Sequence, residues 1–147
     1  MKGVTQGGSG TRLRTTNANK WRPEYDEIIT GYPYELTNPI AGKTGTTQNN
    51  SDGWFMGMVP NLVTGVWVGG EERAVHFKSI TYGQGASMAL PIWGLYMTKN
   101  YADEELGISK EDFEKPSNMS IEIDCDKFAE GIKKDNDIED DLEDLDF

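Results

Sequence analysis

The sequence is poor in the residue types that build metal and redox centres. It has one cysteine, Cys125, so no intrachain disulfide forms, and one histidine, His76, set in the polar run ERAVHFKS. A zinc site needs three or four His, Cys or carboxylate ligands. With no second histidine or cysteine beside it, His76 reads as a surface residue, and no metal or other cofactor is expected. No run of 18 apolar residues occurs, so nothing in the sequence spans a membrane as a helix. The opening residues, MKGVTQGGSGT, lack the apolar core of a signal peptide, so any export signal is expected upstream. A basic stripe is missing too. Fourteen Lys and Arg stand against 25 Asp and Glu, for a net charge of −11, the opposite of a phosphate-neutralising surface.

The acidic excess is concentrated at one end. Asp135–Phe147 (DNDIEDDLEDLDF) holds eight acidic residues and no basic one. Such a run repels itself and cannot bury enough apolar area to offset its ordering entropy. It does not form an EF-hand loop: counting from Asp135, the sixth and twelfth positions are Asp140 and Asp146, where Gly and Glu are needed. The glycines and tryptophans lie mostly before residue 98. The expected organisation is therefore a folded part, residues 1–116, and an acidic, largely disordered tail, residues 117–147.

Within the folded part, turn chemistry and strand patterns alternate. The glycines of QGGSGT favour positive φ and oppose a helix near the start. Residues 16–38 are polar and turn-rich, with Trp21, Tyr25, Tyr32 and Tyr34, and read as a long surface loop with a short helix near 24–29. Pro39–Thr47 (PIAGKTGTT) reads as a strand. The cluster QNNSD (48–52) is a turn. GWFMGMV (53–59) and LVTGVWVG (62–69) are strand-like runs joined by Pro60-Asn61. An antiparallel hairpin with a third strand on its edge follows. Both arms are apolar on both faces, which predicts a sheet covered by helices on each side. Residues 82–101 read as a helix burying Ala89, Ile92, Trp93, Tyr96 and Met97, with Ser87 as cap and Pro91 in the first turn. Ser109-Lys110-Glu111-Asp112 has the form of a capping box before another short helix. The fold class is thus α+β.

The chemistry-bearing run is Gly42-Lys43-Thr44-Gly45-Thr46-Thr47. Its first three residues match the end of a phosphate-binding P-loop, G-x-x-x-x-G-K-[ST]. Position 37, however, is Thr where that loop needs Gly, and Pro39 lacks one of the N–H groups that cradle phosphate. A helix should follow, and a turn follows instead. The run also matches the Lys-Thr-Gly element of penicillin-binding proteins and serine β-lactamases, which sits on a strand. The physics suits an anionic peptide end. Lys43 supplies positive potential. Thr44 and Thr46, two residues apart on a strand, share one face, and Gly45 faces the other way. An edge strand has free backbone groups to which a peptide adds as a further strand.

The longer segment NPIAGKTGTTQNNSDGWFMGMVPNLVTGVWVGG (38–70), with ALPIW (89–93) after it and MKGVTQGGSGTRLR before it, resembles the bifunctional, class A penicillin-binding proteins. The resemblance covers about residues 1–116 and is specific between 38 and 97. It implies the C-terminal part of a β-lactamase/transpeptidase-like fold: about three antiparallel strands packed with a C-terminal helix. It also implies a D,D-transpeptidase that cross-links peptidoglycan stem peptides ending in D-Ala-D-Ala by serine acyl transfer and is acylated by β-lactams. Such a parent works on the extracytoplasmic face of the bacterial cytoplasmic membrane, through an anchor and a glycosyltransferase domain upstream. Carried over, Lys43, Thr44, Gly45 and Thr46 bind substrate, and Lys43 and the backbone N–H of Thr46, an oxyanion donor, serve catalysis. Trp54 is expected to pack rather than touch substrate.

The departures are equally specific. None of Ser9, Ser51, Ser79, Ser87, Ser109, Ser117 or Ser120 has Lys three residues on or Asn two residues on. The nucleophile motif Ser-x-x-Lys and the motif Ser-x-Asn are therefore absent from these residues, and acyl transfer needs the first. The span Thr16–Thr37 is longer than the family's usual link before the Lys strand. The expectation is an inactive fragment of a transpeptidase, with a non-catalytic D-Ala-D-Ala carboxylate-binding module as the alternative.

Overall fold

A computed structural model describes every residue except Trp21, 119–126 and 128–147; the acidic tail therefore lies outside the described residues. The chain divides into two units, Met1–Glu114 and Lys115–Phe147, and the architecture below is that of the first. In chain order come α1 (Lys2–Gln6), α2 (Tyr25–Ile28), β1 (Ala41–Thr46), β2 (Asp52–Val59), β3 (Leu62–Gly69), α3 (Ile80–Gly83) and α4 (Gly85–Ala102), with short 3-10 turns between them. The strands form one antiparallel sheet in the order β1-β2-β3. This is the expected mixed architecture of three antiparallel strands and one long C-terminal helix.

Local chemistry makes both turns. Between β1 and β2, Asn49 and Asn50 adopt φ of 66° and 54°, a left-handed conformation that asparagine tolerates better than most residues. Asp52 fixes the turn. Its carboxylate accepts from the hydroxyls of Thr47 at 3.1 Å and Ser51 at 3.2 Å, while its N–H donates to Thr47 Oγ1 at 3.0 Å. Between β2 and β3, Pro60-Asn61 closes the hairpin across the pair Val59–Leu62. The Asn61 amide then donates to Gly107 O at 2.8 Å and accepts from Ser109 N at 2.9 Å, tying down the chain that leaves α4.

Strand alternation decides which residues meet α4. Gly53, Phe55, Gly57 and Val59 are buried, while Trp54 and Met56 face away. The rings of Phe55 and Trp93 meet edge to face with centroids 5.1 Å apart, and burial of two such side chains contributes about 1.5–3 kcal/mol each. The Trp93 N–H donates to Thr64 Oγ1 at 2.6 Å, so the buried indole leaves no donor unpaired. Gly57 must lack a side chain, because a Cβ there would enter the Trp93 indole.

Several sequence expectations need correction. The sheet is not covered on both sides: among the described residues only α4 lies across it, and Trp54, Met56, Val63 and Trp67 remain exposed on the opposite face. The stripe of α4 that faces the core is Ala86, Ala89, Leu90, Trp93, Gly94 and Met97; Ile92 and Tyr96 are 49% and 43% exposed. The helix starts at Gly85 after Gln84, so Ser87 is inside it and donates instead to Thr81 O at 2.8 Å. Pro91 consequently sits in the second turn. The segment 16–38 is no surface loop throughout, because Tyr32, Tyr34 and Leu36 join the core beside Leu13 and Ile40. A short helix does form at Lys2–Gln6, and Gly7, Gly8 and Gly10 keep negative φ. Ser109 accepts from Glu111 N at 3.1 Å, but residues 110–118 form no helix.

Candidate functional site

The run Gly42–Thr47 is extended, with β1 ending at Thr46, and a single 3-10 turn rather than an α-helix follows. A phosphate-cupping loop before a helix is thereby ruled out for Lys43. Among the described residues β1 is an edge strand, since only β2 pairs with it. Its phase can be read from the end of the ladder. Thr47 N–H donates to Asp52 O at 3.1 Å, toward β2, and Gly42 N–H donates away from β2, to Met1 O at 3.3 Å. Antiparallel ladders alternate, so Lys43 and Gly45 turn their backbone groups toward β2, while those of Thr44 and Thr46 lie on the free edge. α1 covers that edge only as far as Gly42. Thr5, fully buried, holds it there by donating from Oγ1 to Ile40 O at 2.6 Å.

The side chains divide between the two faces. Lys43 and Gly45 stand opposite Met56 and Trp54 and share their open face; Thr44 and Thr46 stand opposite Phe55 and Gly53, on the face that carries α4. Thr44 and Thr46 are thus on one face, roughly 7 Å apart along the strand, and Gly45 is on the other, as their spacing predicts. Lys43 is exposed, and its ammonium bends over the edge to donate to Thr44 O at 2.9 Å. That bond brings the cation to the same edge as the two hydroxyls, although its Cβ starts on the opposite face.

Two partners of these hydroxyls are not evident from the motif. Ser9 Oγ lies 2.7 Å from Thr44 Oγ1 at an exposed position. Gly85 N–H, at the start of α4, donates to Thr46 Oγ1 at 3.1 Å. This contact depends on glycine at 85, because a Cβ there would strike the carbonyl oxygens of Gly45 and Trp54. The signals were faint: a serine between glycines in QGGSGT, and a glycine opening a helix. Trp54 is 45% exposed and packs beside Trp67, with ring centroids 6.5 Å apart, while its Cβ lies against Gly45.

The site is an open ledge rather than a cavity. A hollow of about 330 Å³ lies beside the end of β3, lined by Val68, Val75, His76, Phe77 and Met88, and takes in none of Lys43, Thr44 or Thr46. His76 itself is exposed. Among the described residues no helix is long and apolar enough to cross a membrane.

The chain is similar to penicillin-binding proteins 1A. Over 100 residues, 66% of this chain, it is 38% identical to penicillin-binding protein 1A of Aquifex aeolicus (strain VF5). It is also 46% identical over 59 residues to that of Neisseria meningitidis serogroup A and 43% identical over 58 residues to that of Neisseria flavescens, 40% of this chain in each case. The chain spans 13% of the length of the Aquifex relative and 7% of the Neisseria ones. No family model matches the sequence, and no solved structure matches it.

Proposed function

We propose that residues 1–116 are the C-terminal part of a peptidoglycan D,D-transpeptidase domain of the class A penicillin-binding type, in which β1 receives the carboxylate end of a D-Ala-D-Ala stem peptide. The observation that carries this reading is the edge of β1. Lys43, Thr44 and Thr46 gather a cation, two hydroxyls and backbone groups that face away from β2 on one open ledge. The peptide adds to the ledge as a further antiparallel strand, hydrogen-bonding the edge groups of Thr44 and Thr46. Its carboxylate takes donors from Thr44 Oγ1 and Thr46 Oγ1. Lys43 supplies the positive field without occupying either donor, and Thr46 N–H points where a developing oxyanion would sit. Gly45, with no side chain, leaves room for Trp54 behind the strand.

The acyl-transfer step itself needs a serine and its base, which in this reading come from a Ser-x-x-Lys outside these 147 residues. By itself the chain forms no covalent adduct with fluorescent penicillin, and an adduct that survives denaturing electrophoresis would contradict this. One observation favours a second reading, a non-catalytic carboxylate-binding module: no serine in the sequence is followed by Lys at the third position or Asn at the second. A graft separates the two. Residues from this chain replace the matching hundred residues of the Aquifex protein. A transpeptidase segment keeps penicillin labelling in the graft and loses it on Lys43→Ala. A folded graft that is never labelled, or one indifferent to Lys43→Ala, overturns the transpeptidase reading.

A further inference from the structure

The motif names two threonines, yet a hydroxyl carries only one hydrogen, and what it offers a ligand depends on what already occupies its lone pairs. Thr46 is settled. Gly85 N–H donates to its oxygen at 3.1 Å, which leaves the Thr46 hydrogen free to point outward. Thr44 is in the same position only if something donates to it. Ser9 Oγ, 2.7 Å away, is the hydroxyl placed to do so, at a distance that fits either of the two as donor.

The turn that presents Ser9 is built for the purpose by its own backbone. Gly10 N–H donates back to Val4 O at 2.8 Å and Thr11 N–H to Gly8 O at 3.2 Å, so the chain reverses around Ser9. A Cβ on Gly8 or Gly10 would press on the backbone of Val4 at 3.0–3.1 Å, which is why glycines flank the serine. α1 is in turn pinned to the β1 region by Thr5 Oγ1 to Ile40 O and by Gly42 N–H to Met1 O. Three contacts from one short segment thus run beside the strand, at Ile40, Gly42 and Thr44. Ser9 sits at the last of them, where the covered edge becomes the open one.

Resting on the carboxylate reading above, we infer that Ser9 is a specificity-determining positioning residue: its hydroxyl donates to Thr44 Oγ1 and so commits the Thr44 hydrogen to the ligand carboxylate. Thr44 and Thr46 then form a matched pair of outgoing donors, each held by one incoming hydrogen bond, from Ser9 and from Gly85. A donor that is itself accepting a hydrogen bond is polarised and binds an anion more strongly. The ligand class is a peptide with a free C-terminal carboxylate. Its C-terminal amide, which brings hydrogens of its own, meets two donors and is refused.

The test uses the full chain, labelled with ¹⁵N, and N-acetyl-D-Ala-D-Ala as probe, with affinity read from the Thr46 amide shift. Ser9→Ala weakens binding about fivefold, the scale of one hydrogen bond between neutral groups. Ser9→Thr stays within about twofold of the starting protein on the same scale. Thr44→Val also weakens binding, and adding Ser9→Ala to it costs nothing further, because the relay is already broken. A purely structural role for Ser9 would instead give losses that add. Should Ser9→Ala disturb the turn, Ser9→Thr against Ser9→Val makes the same comparison at equal shape. Undiminished binding by Ser9→Ala or Ser9→Val, or additive losses with Thr44→Val, overturns the role of Ser9 alone. If the unaltered chain does not bind the probe at all, the carboxylate reading itself fails, and the role of Ser9 with it.

Discussion

The two faces of the sheet have nearly the same apolar composition and opposite fates. On one, Phe55, Gly57 and Val59 lie under Trp93, Leu90 and Met97 of α4 and are out of solvent. On the other, Trp54, Met56, Val63 and Trp67 remain exposed among the described residues. The covered face is distinguished by fit rather than by hydrophobicity. Glycines at 53, 57 and 85 remove the side chains that would hold the helix away, and the helix answers with an indole and small residues. The open face has large side chains and no matching recesses filled. An apolar pattern therefore says that a face wants cover, while the placement of glycines says which face has a partner shaped to it.

Substitutions on the two faces should then differ sharply. Trp93→Ala is expected to lower stability by about 3–5 kcal/mol, as for a fully buried large side chain, measured by urea unfolding. Gly57→Ala adds a single methyl against the same indole and should cost about 1–3 kcal/mol through overpacking; a cost near zero would mean that α4 moves freely over β2. On the open face Trp67→Ala should cost about 1 kcal/mol or less, since half the side chain is already wet. Its larger effect is on association. The exposed apolar face should make the chain self-associate at high concentration, and Trp54→Ser with Trp67→Ser should restore a monomer in sedimentation velocity. A monodisperse monomer before substitution would remove the contrast between the faces.

The smallest effect belongs to the covered side. Tyr34 is buried, its hydroxyl has no hydrogen-bond partner among the described residues, and burial pushes its pKa up to about 12 against the pull of Arg12, with Tyr32 adding to the rise. A raised folded pKa means that this contribution to stability is full below about pH 10, the unfolded value, and is lost as the pH climbs through 12. Tyr34→Phe removes an unsatisfied buried hydroxyl, so at pH 7 it should change stability by no more than about 0.5 kcal/mol. It should flatten the decline of Tm between pH 10 and 12. Burial raises Tyr101 as well, offset in part by its hydrogen bond from Asn38, so some alkaline slope should persist.

The strands were legible because their signals are local. Alternation in 53–59, the asparagines of the first turn and Pro60-Asn61 all act within a few residues. The phase of α4 was harder. Ile92 and Tyr96 are as apolar as Trp93 and Met97, so periodicity alone left the face ambiguous, and the deciding contacts fall on Ala86 and Gly94, whose small side chains give no hydrophobic signal. Tyr32 and Tyr34 were hidden by their turn-rich neighbours, although the ring of Tyr34 packs against Gly94. Of the candidate site, Lys43, Thr44 and Thr46 could be read from spacing on an edge strand. Ser9 and Gly85 could not, because they come from 35 and 39 residues away along the chain, respectively, and only the fold brings them to the threonines.

The most direct test of the central claim is a ¹⁵N amide-shift titration of the chain with N-acetyl-D-Ala-D-Ala beside its C-terminal amide. If the edge of β1 receives a peptide carboxylate, the acid should shift the amides of Thr44 to Thr47 with a millimolar-range dissociation constant, about −4 kcal/mol of binding, and the amide should not. Shifts spread elsewhere on the chain, or equal responses to acid and amide, would contradict it.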